Sequence, residues 1–172
     1  MSRNELNAKK NFPERNSLKE FLENSRNSTL REQIVEYKII SEMLIYSASK
    51  GDALEIIRAE HDSFGYDIVL KKNNDVRFIQ LKARKGKGKT KSWCIHNSLI
   101  KNQRGTVLLA NISYQDNNIE LDYKVLPFKK NIKELWKNKN KDIYRKVKES
   151  DLKKIQDIVG LLEFLFKKSD KK

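Results

Sequence analysis

The sequence predicts an α/β domain built on a mixed sheet flanked by helices. Three observations predict it. A helical stretch with an apolar stripe opens the patterned part of the chain, from about Leu30 to Ser49. Three extended segments follow it closely, the last two joined by Lys72-Asn73-Asn74-Asp75, and Asn tolerates the positive φ of a tight hairpin. A β-branched and apolar run then comes at Thr106 to Tyr114, after a further short segment. At 172 residues the chain has the length of one domain.

Each element has its own signal. Residues 1–16 are polar and basic, contain Pro13, and read as a mobile arm. Ser17 with Glu20, and Thr29 with Glu32, have the spacing of capping boxes, the first opening a short helix and the second the long one. Gly51 stands where a C-terminal cap belongs. Leu54 to Ala59, Asp67 to Lys71 and Val76 to Ala83 read as strands, and Arg84 to Lys91 as a flexible basic loop. Trp93 to Asn102 fits helix or strand, with helix favoured, and Gly105 ends it. Asp116-Asn117-Asn118 turns the chain into a strand from Ile119 to Val125. Phe128 to Asn138 and Ile143 to Lys148 read as helical, and Ser150 or Asp151 caps a last helix running to Lys168. After the arm, residues 17–172 form a single domain, with its core at about 30–114 and a hairpin strand and helices in 115–172.

Composition narrows the function. The 37 Lys and Arg against 23 Asp and Glu give a net charge of +14, which suits a phosphate polyanion as partner. The single cysteine, Cys94, cannot form an intramolecular disulfide, and no apolar run reaches the ~18 residues of a membrane helix, so a cytoplasmic protein is expected. Two histidines and one cysteine exclude a four-ligand zinc site within one chain. Cys94 and His96, two apart, read as a packing thiol and a surface imidazole. Gly86-Lys87-Gly88-Lys89-Thr90 resembles the end of a P-loop, but Ala83 stands where its first glycine is required. That run is better explained by electrostatics: Arg84, Lys85, Lys87, Lys89 and Lys91, with glycines between them and no acid, suit a loop that tracks a phosphate backbone.

The hairpin carries the chemistry. With its turn centred on Asn73-Asn74, Asp67 falls opposite Gln80, and Lys82 shares the face of Gln80. Both faces of the hairpin are otherwise largely apolar, so a charged cluster at one end needs a reason. A plain Asp67–Lys82 ion pair would be one. On the preceding helix, Glu36 lies in the centre of the stripe formed with Ile39, Ile40 and Met43, where a carboxylate is equally out of place; Glu32, one turn earlier, is the reserve.

A helix Glu36, then Gly65-Tyr66-Asp67 at the head of a strand, then Ile79-Gln80-Leu81-Lys82 on its hairpin partner, resembles the PD-(D/E)xK nuclease superfamily in a Gln-x-Lys form. Tyr66 stands at the place of the family's proline and Gln80 at that of its second carboxylate. The resemblance spans about Leu30 to Tyr114. It implies a restriction-endonuclease-like core of order α-β-β-β-α-β, a central mixed sheet flanked by helices, with helical N- and C-terminal additions. It also implies a Mg²⁺-dependent endonuclease, with Mn²⁺ able to substitute. Glu36, Asp67, Gln80 and the Leu81 carbonyl would hold the ion and Lys82 would orient the attacking water. Double-stranded DNA is the expected substrate, in a restriction, defence or mobile-element setting. A nuclease acting on RNA, or a non-catalytic nucleic-acid-binding module on a degenerate nuclease fold, are the alternatives. The last helix carries apolar residues nearly all round, from Leu152 to Phe166, which implies either a core-packed helix or a homodimer interface.

Overall fold

A computed structural model describes residues 18–59, 64–85, 88–115, 118–128, 136–137 and 143–166. Helix α1 (Leu18–Glu23) and a 3-10 turn lead into α2 (Ser28–Ser49), followed by β1 (Leu54–Arg58), β2 (Ile68–Lys72), β3 (Asp75–Lys85), β4 (Ser92–His96), α3 (Asn97–Lys101), β5 (Gly105–Gln115) and β6 (Asn118–Val125). The C-terminal part adds β7 (Trp136–Lys137), β8 (Tyr144–Lys148), β9 (Lys153–Ile155) and α4 (Ile158–Phe166).

Six strands form one sheet in the order β1-β2-β3-β5-β6-β9, and β4, β8 and β7 form a second. The larger sheet is mixed: β3 and β5 run parallel and the other neighbours antiparallel. Parallel neighbours need a crossover, and β4 with α3 supplies it. The element order is thus the expected α-β-β-β-α-β, with β4 interposed before α3.

The central strand β5 is buried along Gly105–Ala110 because the sheet is covered on both faces. On one face Val35, Ile39 and Met43 of α2 pack with Ile68, Leu70, Ile79, Leu108 and Ile112, together with Leu161, Leu162 and Leu165 of α4. On the other, Val107 joins Ile95, Leu99, Leu126 and Val147 of the α3 and small-sheet layer. The α4 stripe is therefore core, the first of the two roles its composition allowed. No helix among the described residues is long and apolar enough to cross a membrane.

Several local expectations hold. Asn73 takes φ 54° in the hairpin turn and Gly51 φ 70° after α2. Others are corrected. Trp93–His96 is strand, not helix, because its alternate residues Trp93 and Ile95 pack into the second core, and only Asn97–Lys101 turns helical. Tyr144–Lys148 is also strand: Arg145 and Val147 are buried in alternation against β4. The last helix starts at Ile158 rather than at Asp151, since Lys153–Ile155 first adds a strand beside β6. Among the described residues the C-terminal addition thus mixes β7, β8 and β9 with α4. Of Phe128–Asn138, the structure describes Phe128 and a two-residue strand, 136–137; the rest of that expected helix, like Ser17 and the basic arm, lies outside the described residues. The Thr29–Glu32 box does not open α2, which begins at Ser28 after the 3-10 turn capped by Asn24. Arg84 and Lys85 belong to β3, not to a loop, and Cys94 is exposed rather than packed.

Candidate active site

The site arises from unequal strand lengths. β3 has eleven residues and β2 five. The ladder between them covers Asp75–Ile79 only, so from Gln80 onward β3 is paired on one side, with β5. A notch opens where β3 outruns β2. The ends of β1, the first turns of α2 and Trp93 of β4 wall it. The resulting cavity, of about 460 Å³, is lined among others by Glu36, Arg58, Asp67, Leu81, Lys82 and Trp93.

The expected register holds from Ile68 opposite Ile79 to Lys72 opposite Asp75, and slips at Asp67. The Asp67 N–H donates to the Ile79 carbonyl at 2.8 Å, although Ile79 is already the partner of Ile68. Two residues of β2 thus meet one of β3, the count of a bulge, a device that re-aims a side chain. Asp67 is turned past the strand end, and its Oδ2 accepts a hydrogen bond from the Leu81 N–H at 2.7 Å. Asp67 is therefore not simply opposite Gln80; it reaches the first unpaired stretch of β3. Gly65 makes the approach feasible. It has φ 74°, and a Cβ there would collide with that of His96. The His96 Nδ1 in turn accepts from the Ser98 N–H at 3.2 Å and caps α3.

Gln80 is buried, 4% exposed, and its Oε1 has no hydrogen-bond partner among the described residues. It does not line the cavity. An orphaned buried amide oxygen costs about 1–3 kcal/mol. Lys82 lines the cavity, and no ion pair joins it to a carboxylate among the described residues; the plain Asp67–Lys82 bridge is not formed. The reserve residue Glu32 lines the same cavity.

Glu36 is held by a residue that sequence reasoning missed. Arg58 Nε lies 2.6 Å from Glu36 Oε1, and the Arg58 Nη1 donates to the Tyr37 hydroxyl at 3.0 Å. The hydrogen bond to Tyr37, with the charge of Glu36, raises the Arg58 pKa above its ordinary value. The available signal was an arginine ending a strand that is apolar but for Glu55. Trp93 was missed because its segment was assigned to a helix.

The basic run divides. Arg84 is taken up by Glu149, Asn111 and the Thr90 carbonyl, and Lys85 Nζ meets the Glu23 carbonyl. Lys89 and Lys91 are exposed, and Lys87 lies outside the described residues.

The donor set near the notch can be tested against a divalent ion. Among the described residues no three His, Cys, Asp or Glu side chains gather as a metal site. The donors are instead two carboxylates, Glu36 and Asp67, with the orphaned Gln80 oxygen and the backbone of Leu81. All are oxygens, as Mg²⁺ prefers, and Mg²⁺ commonly keeps several waters rather than demanding a full protein cage. Glu36, Asp67 and Leu81 line the cavity and are suited in kind to such an ion, whereas Gln80 does not line it.

No family model matches the chain, and no curated protein does. Among solved structures, it is similar to Archaeoglobus fulgidus Hjc, a Holliday junction resolvase from an archaeal hyperthermophile. The two share 17% identity at a TM-score of 0.35, over 64% of this chain and 88% of that one.

Proposed function

We propose that this chain is a metal-dependent nuclease that hydrolyses phosphodiester bonds, acting as an endonuclease on double-stranded DNA. The observation that carries the reading is the notch beside β3, where Glu36, Asp67, Leu81 and Lys82 line one cavity.

The residues have separable tasks. Glu36 and Asp67, with the Gln80 amide oxygen and the Leu81 carbonyl, would hold Mg²⁺ or Mn²⁺. Such an ion, when bound, neutralises charge on a phosphate and makes a nearby water more acidic. The bulge at Asp67 and its hydrogen bond from Leu81 fix the carboxylate against the strand. Lys82 is a donor to the attacking water and to phosphoryl oxygens as their charge grows, so it acts more strongly in the transition state than in the ground state. Net charge of +14 supports long-range attraction of the polyanion. The last steps of recognition fall to the exposed Lys89 and Lys91 and to Lys87.

The test is direct. The purified protein is incubated with supercoiled plasmid and with structured RNA, in Mg²⁺, Mn²⁺ or EDTA. Nicking or linearisation of the plasmid in either metal and not in EDTA is expected. Intact DNA and RNA in both metals would refute the enzyme and leave a binding module. Cleavage of RNA alone would move the substrate class.

A further inference from the structure

We propose that Arg58 is a tethered cation that occupies Glu36 in competition with the divalent ion, and that metal loading shifts its guanidinium off the helix carboxylate while Tyr37 keeps it at the cavity. The inference rests on the nuclease reading above and goes beyond it.

Four observations carry it. Glu36 is withdrawn from solvent, its side chain 15% exposed, so its charge needs a counter-charge whenever no ion is present. Arg58 supplies that charge from β1, through a 2.6 Å contact to one oxygen, Oε1. The Arg58 side chain is itself 47% exposed and lines the same cavity as Asp67 and Lys82, so it has room to leave. A second seat is already built: the guanidinium lies over the Tyr37 ring, 5.0 Å from its centroid, and donates to the Tyr37 hydroxyl. Arginine and a divalent cation cannot both sit close to one carboxylate oxygen without repelling each other. Gain of the ion and loss of the Arg58 contact are therefore linked. The retained Tyr37 stacking limits the swing, and the freed fork of donors stays beside the notch, where it suits a phosphate oxygen.

The experiment measures metal affinity without substrate. Mn²⁺ is titrated by calorimetry into the full chain and into Arg58→Gln, Arg58→Lys and the double variant Glu36→Gln with Arg58→Gln. Removing the competitor should tighten Mn²⁺ binding by about five- to tenfold in Arg58→Gln, the scale of a partly exposed ion pair. Arg58→Lys should fall between, and the double variant should lose the gain. Mn²⁺ should also raise the melting temperature of Arg58→Gln more than that of the unaltered chain. Equal or weaker binding by Arg58→Gln would overturn the proposal and make Arg58 a positioning group for Glu36. If the unaltered chain binds Mn²⁺ and cuts DNA in that case, only this inference falls. If no form binds Mn²⁺ and none cuts, the nuclease reading falls with it. Should Arg58→Gln fail to fold, the charge-retaining Arg58→Lys still decides, since it must bind Mn²⁺ more tightly than the unaltered chain.

Discussion

Two arginine–glutamate pairs flank this sheet, and they are held differently. Arg84 meets Glu149 through two parallel bonds of 2.6 and 2.8 Å, donates to Asn111 at 2.8 Å and to the Thr90 carbonyl at 2.9 Å, and stacks over Trp93. Lys124 adds a 2.5 Å contact to the same carboxylate. Arg58 makes one contact of 2.6 Å with Glu36 and leans on a tyrosine at the mouth of a cavity. The first network ties β3 and β6 of the large sheet to the end of β8, and nearly every donor and acceptor in it is used. The second leaves donors over among the described residues. A saturated pair fixes structure, because any exchange of partners would strand a charge. An unsaturated pair on a cavity can trade partners. Two residues apart near the C-terminal end of β3, Arg84 therefore holds the layers together while Lys82 lines the cavity.

The largest expected effect tests the cavity. Lys82→Ala should lower the cleavage rate roughly 10²-fold or more, about 2.7 kcal/mol, the scale of removing one group that meets developing charge. Its urea midpoint should stay close to that of the unaltered chain. A variant that instead melts early would place Lys82 with Arg84 among the structural cations. The next largest tests the saturated pair. Arg84→Ala should lose about 2 kcal/mol of stability in urea unfolding, below the 3–5 of a fully buried pair because Glu149 is partly exposed. Cleavage measured well below the melting temperature should persist. A stable Arg84→Ala that no longer binds DNA would reverse the assignment.

Much of this contrast was legible in the sequence, and the part that was not has physical reasons. The hairpin register, the α2 stripe and the α-β-β-β-α-β order follow from periodicity and turn chemistry, which are local. The bulge at Asp67 is not local: it depends on where β1 and β2 stop, and on Gly65 passing His96 of another layer. Arg58 escaped notice because its role exists only once β1 lies beside α2. Arg84 was grouped with its basic neighbours, since nothing near it in the chain announces Glu149, 65 residues away. The C-terminal strands were taken for helices because β8 and β9 are short and basic, and their strand state is imposed by β4 and β6.

Acid should sharpen the difference between the two pairs by a smaller amount. Hydrogen bonds from Arg84 and then Lys124 lower the Glu149 pKa from its ordinary 4.5 to about 2. The folded state thus binds fewer protons than the unfolded one across that interval. The stability from this network is fully present above about pH 4.5 and is lost as pH falls towards 2. Glu149→Gln should be less stable at neutral pH, and the gap from the unaltered chain should narrow as pH drops from 4.5 to 2 in urea melts. A gap that is constant across this range would show that Glu149 contributes by packing alone.

The smallest effect concerns the basic segment between β3 and β4, where the same comparison divides neighbours in sequence. Lys89 and Lys91 are exposed, while the backbone at Lys91 is anchored by the Glu149 N–H at 2.9 Å. Their charges are thus displayed next to a fixed backbone position. Arg84, a few residues earlier, has its charge answered by Glu149 within the fold. Each cation that neutralises a phosphate releases counterions, and contributes about −0.9 to the slope of log affinity against log salt on B-DNA. Replacing Lys89 and Lys91 together by Glu should therefore flatten that slope by about 2 and weaken binding several-fold near physiological salt. Arg84→Gln, assayed below its melting temperature, should leave the slope unchanged, because its guanidinium is not offered to DNA. Fluorescence anisotropy with a labelled duplex over a salt series, in EDTA so that nothing is cut, reads both variants. Identical slopes for the lysine variant and the unaltered chain would make the segment ordinary solvated surface. A flattened slope for Arg84→Gln would mean that the Glu149 pair opens on DNA, and that the two arginines are more alike than their contacts imply.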